Sequence, residues 1–246
     1  VVNPILVALD VSDGDEAVSL ATRLAPFVGG FKVGLELLMG EGPGIIGRVG
    51  ELGAPVFADA KLHDIPNTVA GAARQLARAG ARWVTVHSAG GREMVEAAVA
   101  GLGSDAGVLV VTVLTSLDES QLRATGVERQ MGAQVEAMTG LAALSGAEGV
   151  ICSILEAGAA KAVAPSLKVV TPGIRATGAA SDDQKRVGTL SAALDAGADM
   201  VVVGRAVTAA PDVVAAARAL AQDAEQYFSP KGLSETARPG KGAPGE

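Results

Sequence analysis

Aromatic side chains are almost missing from this sequence, at four Phe, one Trp and one Tyr, or 2% of 246 residues. A core built on large rings is excluded, and the interior must be filled by the small and branched side chains that dominate the composition. Cysteine occurs once, at Cys152. No intrachain disulfide can form, a reducing compartment is expected, and Cys152 reads as a small apolar core residue. Positive charge is scarce, and the formal net charge is −7. A nucleic acid or an anionic membrane needs a basic face, so neither is an expected partner. Any anionic ligand must be held by a few local cations. No apolar run approaches the roughly 20 residues that cross a bilayer. The first such run ends at Asp10 with no basic region before it, so no signal peptide is read and the cytoplasm is the expected location.

What is present is 49% hydrophobic and 19% charged residues, the composition of a globular protein. Short apolar runs at 5–9, 30–33, 55–58, 83–86, 107–114, 149–152, 167–170 and 200–203 are rich in Val and Ile without polar alternation. Strands covered on both faces have this character. Amphipathic segments such as 17–24 and 69–78 lie between them, with Ser12 and Asp13 as candidate caps for the first helix. Gly80, Gly146 and Gly197 are placed to stop helices in a left-handed conformation. About eight strand–helix repeats predict a single-domain α/β fold, the (β/α)8 TIM barrel, over residues 1–228. An open doubly wound sheet is the alternative, and it usually carries a Gly-rich turn after its first strand. Here that turn reads Asp-Val-Ser-Asp-Gly. The segment 229–246, rich in Pro, Gly, Lys and Ser, reads as a flexible tail.

The strands end on Asp10, Lys32, Asp59 with Lys61, His87, Thr115 with Ser116, Ser153, Thr171 with Gly173, and Gly204 with Arg205. In a parallel barrel these ends converge on one face, where active sites are built. If the third strand runs through Lys61, residues 59 and 61 project to the same side. A lysine beside carboxylates stays protonated, which suits a proton donor and not a Schiff-base nucleophile. Asp64 supplies a second carboxylate three residues on. The runs Thr171-Pro172-Gly173-Ile174-Arg175 and Gly204-Arg205 follow the last two strands, where barrels often bind phosphate.

Read together and in order, these pieces resemble the orotidine 5′-monophosphate decarboxylase family over nearly the whole folded part. The matching segments are Leu6–Asp10, Phe31–Gly34, Asp59–Thr68, Leu114–Ser116, Thr171–Arg175, Asp183-Gln184 and Gly204-Arg205. The resemblance implies decarboxylation of orotidine 5′-monophosphate to UMP without metal or cofactor, as the last step of de novo UMP synthesis. It implies that Lys61 protonates the pyrimidine carbon and that Asp59 sits against the substrate carboxylate. Asp64 and Thr68 would reach the site from the partner subunit of a homodimer. Asp10 and Lys32 would contact the ribose, and Thr115 and Ser116 would shape the pyrimidine pocket. Arg175, Gln184, Gly204 and Arg205 would hold the phosphate, with Pro172 lining the site and the loop 176–182 closing over it.

The D-x-K-x-x-D run by itself also resembles the Mg²⁺-dependent 3-keto-gulonate 6-phosphate decarboxylases, which carry a glutamate ligand at the end of the second strand. Lys32 stands there in this chain, and a cation opposes Mg²⁺. Related epimerases use histidine ligands, and this chain has only His63 and His87, which read as a solvated loop residue and a wall residue. A non-catalytic nucleotide binder on the same scaffold would have no need for Lys61 between two carboxylates.

Overall fold

The computed structural model describes residues 3–174 and 188–229. Eight parallel strands close into a barrel in chain order: β1 Ile5–Ala8, β2 Gly30–Val33, β3 Val56–Leu62, β4 Trp83–His87, β5 Gly107–Val111, β6 Gly149–Ile151, β7 Lys168–Pro172 and β8 Met200–Val203. β1 pairs with both β2 and β8, which completes the circle. Closure excludes the open doubly wound sheet, and the (β/α)8 expectation is met.

Side chains divide between two layers, as the period of two requires. Leu6, Ala8, Phe57, Trp83, Leu109, Val170, Met200 and Val202 pack inside the barrel. The alternate residues, Val7, Val84, Val86, Val108, Val169 and Val201 among them, meet the surrounding helices. Both layers are apolar, which explains why the strands lack polar alternation in sequence. Cys152 is fully buried in the outer layer, as expected.

Local signals act where the sequence placed them, with shifted edges. The first helix spans Gly14–Leu24, and Asp13 rather than Ser12 caps it by accepting the Glu16 N–H at 2.8 Å. The helix expected at 69–78 begins earlier, at Pro66, where the fixed φ of proline suits a first turn. Gly80, Gly146 and Gly197 have φ of 96°, 74° and 100°, the left-handed stops foreseen for them. β5 ends at Val111 instead of 114, because its neighbour β6 ends at Ile151; the Thr112 N–H makes a last bond to the Ile151 carbonyl at 3.2 Å.

The amino-terminal end of the barrel is sealed by charge. Glu148, just before β6, accepts two bonds from the Arg82 guanidinium at 2.7 and 2.8 Å, one from Trp83 Nε1 at 3.0 Å and one from Lys168 Nζ at 2.6 Å. Burial works to raise the Glu148 pKa, but these donors outweigh it and bring it down to about 2. The Arg82 guanidinium also lies 4.9 Å from the Trp83 ring centroid, so the chain's one indole is clasped from two sides. Of the expected tail only Ser229 is described, and residues 230–246 lie outside the described part. Among the described residues no helix is long and apolar enough to cross a membrane.

Candidate active site

β3 is the strand that makes the site. Between Ala58 and Leu62 it takes four residue steps, while β4 takes only two between the partners Val84 and Val86. The surplus chain bulges, and Lys61 is left at φ 47°, the positive value that a non-glycine residue rarely adopts. Such a conformation costs about 1–3 kcal/mol and persists only where the surroundings hold it. Asp59 and Lys61 do share a side, but through this bulge and not through plain strand alternation.

Four charges follow one another across the barrel mouth. Asp10 Oδ1 lies 2.8 Å from Lys32 Nζ, which is 3.7 Å from Asp59 Oδ2. Asp59 Oδ2 in turn lies 2.6 Å from Lys61 Nζ. Side-chain exposure is 11% for Lys32 and 13% for Asp59, but 30% for Lys61 and 54% for Asp10, so the central pair is dry and the outer pair touches solvent. Burial works to raise the Asp59 pKa, yet Lys32, Lys61 and the hydrogen bonds from Lys61 and Thr85 prevail and hold it below its ordinary value. Asp59 therefore stays an anion wherever the protein is folded near neutral pH.

A cavity of about 650 Å³ opens over this row. Asp10, Lys32, Asp59, Lys61, Thr115, Ser116, Pro172, Gly204 and Arg205 all line it, so nine of the residues singled out in sequence meet in one place. Phe57, Val111, Ile151 and Val202 add apolar wall, and Glu36 adds an acid that sequence reading passed over. Gly173, also in the lining, has φ 86°, which demands glycine at the turn beside Pro172. Gly34 leaves room for the ion pair: a Cβ there would lie 2.8 Å from Lys32 Nζ and 2.9 Å from Asp10 Oδ1, so those side-chain ends would have to shift.

Other candidates fall elsewhere. Asp64 and Thr68 are exposed and do not line the cavity of the single chain; Asp64 Oδ1 accepts the Ile65 N–H at 2.6 Å. Ser153 is buried against Glu156, and Thr171 is buried with a hydroxyl that has no partner among the described residues; neither lines the cavity. His63 is exposed, as foreseen, with its ring 5.7 Å from that of His87. Burial, and then the nearby His63 and Lys61, lower the His87 pKa, which leaves it neutral at neutral pH, and it does not line the cavity. Arg175, Gln184 and the loop 176–182 lie outside the described residues. Among the described residues no cluster of three or more His, Cys, Asp or Glu could hold a metal ion.

A closed (β/α)8 barrel with alternating ammonium and carboxylate groups at its carboxyl-terminal mouth, and an arginine after β8, defines a barrel enzyme for small anionic substrates. Residues 3–220 match the model of the orotidine 5′-phosphate decarboxylase / HUMPS family, and the chain belongs to that family. It is 51% identical to the orotidine 5′-phosphate decarboxylase of Anaeromyxobacter dehalogenans over 218 residues, 88% of this chain and 96% of that one. It is 47% identical to the Moorella thermoacetica enzyme of the same name, over 90% and 92% of the two chains. The crystal structure of orotidine 5′-phosphate decarboxylase from Lactobacillus acidophilus superposes with a TM-score of 0.79 at 35% identity, covering 90% of this chain and 98% of that one.

Proposed function

We propose that this chain converts orotidine 5′-monophosphate to UMP and carbon dioxide, the closing step of de novo pyrimidine nucleotide synthesis, with Lys61 as the proton donor. The observation that carries the reading is the alternating row Asp10, Lys32, Asp59, Lys61 along one cavity wall, in a chain of the decarboxylase family. Breaking the bond between the ring carbon and its carboxylate leaves an electron pair on that carbon with no conjugated sink. A preorganised cation is what such a centre requires. The Lys61 ammonium supplies both the field and the proton, and its 30% exposure lets the resulting amine recover a proton from water. Asp59, fixed as an anion, aims the ammonium and faces the departing carboxylate.

Arg205, beside Gly204, holds the phosphate, and Arg175 and Gln184, which lie outside the described residues, are its further expected partners. Asp10 and Lys32 hold the ribose, while Thr115, Ser116 and Pro172 shape the wall about the base. The apolar wall and the burial of Lys32 and Asp59 strengthen the charge interaction between that inner pair. Asp64 and Thr68, exposed and outside the single chain's cavity, serve the site of a partner subunit, which makes the working form a homodimer. Ile65, between them and 67% exposed, is apolar surface that this contact would cover. Lys32, 3.7 Å from Asp59, stands where it repels a divalent cation, so the chemistry proceeds without metal or cofactor. A lone buried cysteine suits work in the reducing cytoplasm.

The test is ultraviolet spectrophotometry of orotidine 5′-monophosphate consumption, with and without excess chelator. Equal, rapid loss of substrate in both arms is expected. No turnover would sink the substrate assignment, and loss confined to the chelated arm would point to the metal-dependent chemistry.

A further inference from the structure

We propose that Thr85 is a positioning residue of the reaction, its one hydroxyl holding both the backbone of Lys61 and the carboxylate of Asp59. The inference rests on the decarboxylase reading and adds to it a residue outside the cavity lining. Thr85 is the middle residue of β4 and completely buried. It shares the interior face with Trp83 below it and His87 above it, by the strand period. Its Oγ1 accepts the Lys61 N–H at 2.9 Å and donates to Asp59 Oδ1 at 2.9 Å.

The bulge explains why a hydroxyl is needed here. Four steps of β3 against two of β4 take the Lys61 amide out of the regular ladder, at a residue already in the left-handed region. An amide withdrawn from the ladder in a partly buried place needs another partner, and Thr85 supplies it from the neighbouring strand. The same oxygen has one proton to give, and the carboxylate that clasps Lys61 Nζ takes it. Backbone, general acid and orienting carboxylate are thus tied at a single atom. Valine has the shape of threonine but can neither accept nor donate, whereas serine keeps both functions.

The experiment compares the full-length parent with Thr85→Val and Thr85→Ser. It reads kcat and KM for orotidine 5′-monophosphate, affinity for UMP, and hydrogen exchange of the Lys61 amide. Valine is expected to lower kcat by about 10- to 100-fold, with UMP affinity changed less than about threefold, because the lost organisation matters at the transition state. It should also speed exchange of the Lys61 amide at least ~10-fold, while serine restores both kcat and protection. Thr85→Ala gives the same comparison should the valine variant not fold. Unchanged kcat in the valine or alanine variant, or serine as slow as valine, overturns the proposal. Absence of turnover in the parent sinks the decarboxylase reading instead; the exchange data then decide the link to Lys61 by themselves, and equal protection in all three chains refutes it.

Discussion

Replacing Glu148 with Gln removes the charge that seals the amino-terminal end of the barrel and keeps the shape of the side chain. In the folded protein the carboxyl titrates at about 2, against an ordinary value of 4.5. A depressed carboxyl pKa contributes stability that is fully present above 4.5 and is lost as pH falls toward 2. The full difference corresponds to about 3 kcal/mol. Arg82 and Lys168 keep 37% and 42% of their side chains in solvent, which screens the attraction. About 2 kcal/mol is therefore the expected loss at pH 7. For a chain of this size that lowers Tm by about 4–8 °C. Circular dichroism melts of parent and variant at pH 7 and pH 3.5 isolate the term, since every other carboxylate titrates in both. The gap should be wide at pH 7 and narrower at pH 3.5. A Tm difference under ~1 °C at pH 7, or a gap that widens in acid, would refute the reasoning.

Two further outcomes follow from the mouth of the barrel. Gly34→Ala sets a methyl group within 2.9 Å of both Lys32 Nζ and Asp10 Oδ1. One or both side-chain ends must shift, and steady-state kinetics should show KM raised about threefold or more; an unchanged KM would mean that the placement of this pair does not matter for substrate binding. Mixing inactive Lys61→Ala and Asp64→Ala chains should restore activity through hybrid sites, up to about a quarter of the parent level at equal mixing. No recovery after mass spectrometry has shown subunit exchange would place Asp64 outside its partner's site.

The barrel was legible because the strands are mostly apolar on both faces and several helices carry their own start or stop, as at Asp13 and Gly80. The nine cavity residues were legible for a topological reason: parallel strands place all their carboxyl ends on one rim. The bulge was not, because the surplus on β3 exists only relative to β4, and pairing register is absent from a linear reading. Thr85 was hidden for the same cause, since a threonine among valines reads as β-branched core. Glu148 escaped because its donors converge from two distant parts of the chain, Arg82-Trp83 and Lys168. Gly34 carried no signal beyond its place in the matching segment, and the ion pair beside it becomes visible only in the fold. Ser153 and Thr171, strand ends whose polarity alone marked them, are buried and do not line the cavity.

The central claim is that the ammonium 2.6 Å from Asp59 is the proton donor. Steady-state turnover of orotidine 5′-monophosphate by Lys61→Ala, with UMP affinity measured on the same preparation, tests it most directly. The account predicts a fall in kcat of about 10⁴-fold or more, with UMP still bound within about tenfold of the parent affinity. A variant that binds UMP and still turns over within about tenfold of the parent rate would contradict it.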